Sequence, residues 1–276
     1  MRITLIIFTT LISGITTAQQ YSGIIKDKSS GEPVPFVNIG IFNKGVGTVS
    51  QVDGTFKIIL ADELQFDTLR ISIIGYRSET FIVKDFIATA TNGYITVNLT
   101  VEIQQLNTVF IRPRNMKQVT LGNTFDKPNI MAGFKTNDLG AEIGTIMKIK
   151  NGKEYYLKSA GFNIAKCVYD SILFRVNIYS LKDNKPFDGL HSLPIYVKAV
   201  KGQRQILVDL VPYNIVIDQD FVLSLEWIED LPDKTTDFTF CAGFIGNRIF
   251  WKQTSEASWA TFPVGIGSWC IAEYEK

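Results

Sequence analysis

A two-residue period constrains this chain more than any other feature. Ile95, Val97, Leu99, Val101 and Ile103 alternate with Thr96, Asn98, Thr100 and Glu102. An extended segment built this way has one apolar face and one polar face, which is the pattern of a half-buried strand. The pattern recurs at Val37, Ile39 and Ile41, at Phe56, Ile58 and Leu60, and at Leu69, Ile71 and Ile73. In the second half Phe174, Val176 and Ile178 alternate with Arg175, Asn177 and Tyr179. Ile206, Val208 and Leu210 follow, then Phe221, Leu223, Leu225 and Trp227, then Phe238, Phe240, Ala242 and Phe244. Ser30-Gly31, Asp53-Gly54, Asn92-Gly93, Asn151-Gly152 and Asp188-Gly189 punctuate these runs as turns, because Gly and Asn accept a positive φ. Only Ile164, Val168 and Ile172 have helical spacing, and the signal is weak. The expectation is an all-β chain: a small sandwich, then a larger β-sandwich for which a jelly-roll is one fitting arrangement.

A break separates the two. Arg112 to Gln118 is polar and basic and contains a proline, so residues 112–120 are expected to connect an N-terminal sandwich at 19–111 to a C-terminal one at 121–276. No internal repeat of solenoid length is visible. With 46% hydrophobic and 20% charged residues the chain is not intrinsically disordered, and 276 residues suffice for one or two cores.

The first 18 residues have the make-up of an export signal. Arg2 is the basic start, Ile3 to Ile12 the apolar run, and Thr16 and Ala18 the small residues before a cleavage point. Cleavage is expected between Ala18 and Gln19. The apolar run is too short to span a bilayer. The chain carries 28 basic and 27 acidic side chains, and residues 1–18 hold one basic residue and no acid. The processed chain is therefore net neutral, which argues against nucleic-acid binding by bulk charge. Nothing downstream has the length and apolarity of a transmembrane helix. Three cysteines, Cys167, Cys241 and Cys270, allow at most one bridge. Cys241 with Cys270 is one choice and three buried thiols the other.

Four ordered motifs lie in residues 21–103. They are Tyr21 to Asp27, Gly31-Glu32-Pro33-Val34-Pro35-Phe36-Val37-Asn38-Ile39, Gly47 to Phe56, and Leu69 to Tyr76. Together they resemble the carboxypeptidase-regulatory-like domain, a transthyretin-like, Ig-like sandwich of exported proteins in Gram-negative bacteria. The resemblance implies an accessory domain with no chemistry of its own. Two positions depart from the pattern: Ser50-Gln51 stands where Thr-Asp is usual, and Phe36 where a small residue is usual. Leu106 to Arg112 resembles the strand that follows this domain in TonB-dependent receptors. The remaining residues cannot supply a receptor's plug and its barrel of about 22 strands. Gly140 to Gly144, Phe174 to Tyr179 and Asp209 to Asn214 are more loosely similar to the C-terminal part of uncharacterised exported β-proteins, which implies architecture only.

Candidate chemistry is sparse. His191 is the single histidine, so a zinc peptidase site with two His ligands is excluded. A serine triad would need His191 with a nucleophile, and neighbouring Ser192 is poorly placed with no nucleophile elbow in the chain. Glu226, Glu229, Asp230 and Asp233 cluster after a strand and could hold a glycosidase carboxylate pair, or form a solvated loop. Asp218 and Asp220 offer oxygens for calcium without the spacing of a calcium loop. Trp251, Trp259 and Trp269 fall close together, and exposed rings of this kind stack on sugars. Trp259, among small polar residues, is the candidate for exposure, with Trp251 beside it; Trp269, alternating with Ile271, is expected in the core. No cofactor and no metal site is expected.

These readings converge on a non-enzymatic exported protein, acting as a binding or structural module of the cell envelope. It would be periplasmic, outer-membrane-associated or secreted, with an envelope protein or a glycan as partner. The alternatives are a carbohydrate-binding protein using Trp251 and Trp259, and a hydrolase in the C-terminal part.

Overall fold

The computed structural model describes residues 18–102, 115–134, 138–150, 152–231 and 237–276. Residues 1–17, Ile103, the segment Leu106 to Arg112, Asn151 and Asp233 lie outside the described residues, so the readings placed on them have no structural counterpart.

The alternating runs are strands, and the chain is an all-β sandwich protein. In the N-terminal part a three-stranded sheet has Ala18–Asp27 at its centre, antiparallel to Thr55–Ala61 and parallel to Tyr94–Leu99. A four-stranded sheet has the order Gly47–Val49, Asn38–Ile41, Thr68–Ser72, Glu79–Ile82. Between them sits one apolar cluster that includes Ile25, Ile39, Phe56, Ile58, Leu69, Ile71, Ile95 and Val97. A short helix, Val83–Ala88, adds Val83 and Phe86. The alternation beginning at Ile95 ends early: the strand stops at Leu99, and Val101 is exposed in an isolated bridge to Tyr76.

The family motifs here are turn chemistry. The Asp27 carboxylate accepts from the amides and hydroxyls of Ser29 and Ser30, which holds it far below the usual carboxylate range. Asp53 accepts from the Thr55 amide and hydroxyl. Ser50, one of the two departures, is fully buried and staples the Glu32–Phe36 loop: its Oγ accepts from the Val37 amide and donates to the Val34 carbonyl.

The C-terminal part is two larger sheets around a second apolar cluster. An eight-stranded sheet is built on the long strand Tyr155–Cys167, flanked by Ser268–Glu275 and Phe238–Gly243. A seven-stranded sheet runs through Ser171–Lys182, Phe221–Trp227, Glu142–Met147 and Ile249–Lys252. The helical spacing of Ile164, Val168 and Ile172 is not a helix. It spans the turn that carries the chain from one sheet to the other. Met116–Asn123 is a strand paired with Ser268–Glu275, so residues 116–120, expected in the connector, belong to this sheet.

Apolar alternation correctly marks the face of each strand that meets the core, with two corrections. Phe244 is 72% exposed, because Phe238–Gly243 ends before it. Trp269 and Ile271 are half-buried on the outer face, while Ser268, Cys270, Ala272 and Tyr274 point inward. The Trp269 ring lies flat over Gly161, where any Cβ would collide with it. The three cysteines are free and buried. Among the described residues no helix is long and apolar enough to cross a membrane.

Candidate functional site: a buried charge row and an inter-part cleft

The seven-stranded sheet has an unusual second face. Its first face, with Phe174, Val176, Leu223, Leu225, Trp227 and Ile143, packs into the core. A half-buried strand would place its alternate residues in water. Here Arg175, Asn177, Ser224, Glu226, Glu142 and Lys252 are buried as well. Strand register sets four of them in one line across the sheet. Arg175 is opposite Glu226, Glu226 opposite Glu142, and Glu142 opposite Lys252.

The sequence of charge is therefore plus, minus, minus, plus. Two neighbouring carboxylates out of water would repel strongly; each is flanked by its own cation. Arg175 Nε donates to Glu226 Oε2 at 2.9 Å, and its Nη2 lies 2.8 Å from the same oxygen. Lys252 Nζ lies 2.7 Å from Glu142 Oε2. One amide straddles the pair: Asn177 Nδ2 donates to Glu142 Oε1 at 2.9 Å and to Glu226 Oε2 at 2.8 Å. The Ser224 hydroxyl donates to Glu142 Oε1, and Tyr179 donates to its Oε2 at 3.3 Å.

Burial opposes the charge on Glu142, but Lys252 and the Ser224 and Asn177 donors outweigh it and hold the carboxyl below its ordinary value. Burial likewise opposes the charge on Lys252, and Glu142 overcomes it, raising the ammonium's pKa. Burial and the two carboxylates push the Tyr179 phenol well above its ordinary value.

The row ends in the N-terminal part. Arg175 Nη1 donates to the Phe36 carbonyl and Nη2 to Asn38 Oδ1, both at 2.7 Å. Phe36 has a positive φ of 57° and its ring tilts against Tyr196 at 5.3 Å. The departure from the family pattern at Phe36 thus falls on a residue that touches the C-terminal part. A loop at 253–259 makes the rest of the junction. Ser72 Oγ donates to Glu256 Oε1 at 2.7 Å, with Arg70 3.5 Å from Oε2. The Asn43 amide donates to the Glu256 carbonyl, and Ser258 donates to the Asn43 carbonyl. Gly40 is needed here for close approach: a Cβ would collide with the Ser255 carbonyl oxygen.

Beside this junction is a cleft of about 860 Å³, walled by both parts. Trp259 lines it, half-buried, with Tyr179 edge-on at 5.9 Å and Lys252 Nζ 4.9 Å from its ring centre. His191 also lines it. It was expected to be an idle loop histidine, but is 7% exposed, and neither ring nitrogen makes a hydrogen bond of good geometry. Burial, then Arg175, lowers its pKa to about 4 against a weak opposing pull from the Ile178 carbonyl.

The other candidates are scattered. Trp251 is half-buried on the opposite face from Lys252, in register with Ile143 and edge-on to Phe262. It does not share a surface with Trp259. Of the acidic cluster, Glu226 is inside the row and Glu229 accepts the Leu173 amide, while Asp230 is exposed. Asp220 accepts the Ile149 amide, and Asp218 is exposed. Among the described residues no group of three or more His, Cys, Asp or Glu could hold a metal. Sequence reasoning missed Glu142, Arg175, Asn177 and Lys252. The available signal was a charged or amide side chain at alternate positions of the most apolar strands, as in Ala141-Glu142-Ile143 and Phe174-Arg175-Val176.

Residues 21–111 match the family model of the CarboxypepD_reg-like domain, so the N-terminal part is a non-catalytic regulatory or structural Ig-like module. No curated protein matches the chain. Among solved structures, the chain is similar to the infectious bursal disease virus VP2 subviral particle at 9% identity and a TM-score of 0.28, covering 95% of this chain and 61% of that one. The infectious bursal disease virus Gt strain gives 9% identity and a TM-score of 0.27, covering 95% and 77%. At such scores neither likeness bears on fold or function.

Proposed function

We propose that this chain is a non-enzymatic exported module of the cell envelope, binding or structural in role, whose two β parts work as one rigid unit. The observation that carries this reading is the Arg175 fork. A guanidinium buried beside Glu226 spends its remaining donors on the Phe36 carbonyl and Asn38, so the buried charges tie the parts together. A glycosidase reading needs one carboxyl kept protonated to act as general acid. Glu142 is held ionised by Lys252, and both acids lie behind the cleft wall. The export signal in residues 1–18 supports the envelope assignment.

Expression of the full chain in a Gram-negative host tests the assignment. The expected product is an extracytoplasmic protein whose mass corresponds to a chain starting at Gln19. An intact chain starting at Met1 and confined to the cytoplasm would overturn it.

A further inference from the structure

We infer that the cleft between the two β parts is a binding site for a neutral glycan, with Trp259 as its stacking platform. The inference rests on the rigid-unit reading, because the cleft needs a wall from each part. At about 860 Å³ the space falls in the range of small-ligand sites. Its surface mixes aromatic faces with polar groups. Phe42 and Phe187 line it at 51% and 53% exposure, from opposite walls, with Tyr179 and Trp259 between. Trp259 is held in place by the Tyr179 edge and by Lys252, so stacking would cost it little conformational freedom.

Charge excludes the main competitors. The cations of the lining are spoken for: Arg175 by Glu226, Lys252 by Glu142, and Arg70 by Glu256. The remaining Lys182 and Lys185 share their hairpin with Asp183 and Asp188, which also line the cleft. An anionic ligand would find no surplus positive charge, and a cationic one no surplus negative charge. A wholly apolar ligand would desolvate these polar groups without replacing their bonds.

His191 gives the second, independent indication. Its imidazole is buried in the cleft wall without a good hydrogen-bond partner. It is neutral above about pH 4 and so offers one N–H donor and one nitrogen acceptor. A sugar hydroxyl both donates and accepts, and complements that pair. Exposed aromatic faces, polar groups without net charge, and an unmet donor and acceptor together describe a carbohydrate site.

The test is titration of the processed full chain with neutral cello-, malto-, xylo-, manno- and chito-oligosaccharides, followed by calorimetry and tryptophan fluorescence. Polygalacturonate serves as an anionic control. At least one neutral series is expected to bind. Trp259→Ala should weaken it by about tenfold or more, and Trp259→Tyr, which keeps a stacking ring, should recover part of the loss. Phe187→Ala, at an exposed wall position, should weaken binding in a protein of unchanged melting temperature. Trp251→Ala should leave affinity unchanged. Binding of no neutral glycan, preference for polygalacturonate, or loss on Trp251→Ala with Phe187→Ala neutral would each overturn the inference. A rigid unit that binds no sugar refutes only this site. A sugar-binding chain with independently moving parts refutes the rigid unit.

Discussion

Arg175→Met is expected to destabilise the protein by about 3–5 kcal/mol, the cost of leaving one partner of a buried ion pair alone. The substitution keeps a side chain of useful length in the sheet but strands Glu226, which is fully buried. It also severs the bonds to the Phe36 carbonyl and Asn38. For a chain of this size the melting temperature should fall by about 10 °C. The two parts, melting together in the wild type, should separate into two transitions. Arg175→Met combined with Glu226→Leu should recover much of the free energy, because no charge is then left buried, but not the single transition. Denaturation by urea and by heat measures both. A loss below about 1 kcal/mol would place the pair in the class of weak surface bridges and contradict its role.

Glu142→Gln should cost a similar amount, about 3–5 kcal/mol, because Lys252 is then buried without its carboxylate. It also carries a pH signature. The folded Glu142 has a pKa below its ordinary value of 4.5, so the unfolded chain binds the proton more readily. Its contribution is complete above about pH 4.5 and is lost as pH falls through the depressed folded value. Lys252 works in the opposite sense. Its pKa is raised above 10.5, so its contribution is complete below that value and is lost as pH rises through the folded one. Between the two limits the pair contributes a constant amount. In urea titrations from neutral pH downward, the wild type should lose stability below pH 4.5 more steeply than Glu142→Gln. Parallel acid limbs would mean that Glu142 is not the ionised partner described here.

The difference between what the sequence disclosed and what it hid lies in which face of a strand is being read. The core faces were legible because a period of two with Val, Ile, Leu and Phe has one interpretation. Phe174, Val176 and Ile178 are buried as expected. The other face was not, because a polar residue on a strand is ordinarily a residue in water. Arg175 and Asn177 look the same in sequence whether solvent or a second β part covers them. Glu226 was grouped with Glu229 and Asp230 by proximity, although strand geometry sends it to the opposite side from Leu225. Pairing Glu226 with Glu142 and Lys252 requires strand register over distances that local pattern does not encode. The N-terminal motifs were legible because each is a local turn, such as Asp53 closing on Thr55. Phe36 was visible only as an oddity. Its use emerges when its carbonyl is found on Arg175. The tryptophans show the same limit: Trp251 and Trp259 are close in sequence, and the strand and loop between them place them on different surfaces.

The account turns on the two β parts being locked at Gly40, Arg175 and the 253–259 loop. Spin labels on cysteines replacing Glu63 and Lys201, both exposed and in different parts, report this directly, since the native thiols are buried. The dipolar distance distribution of the wild-type background should be single and narrow. Gly40→Val, whose side chain would meet the Ser255 carbonyl, should broaden it without unfolding either part. A broad wild-type distribution, unaffected by Gly40→Val, would contradict the rigid unit.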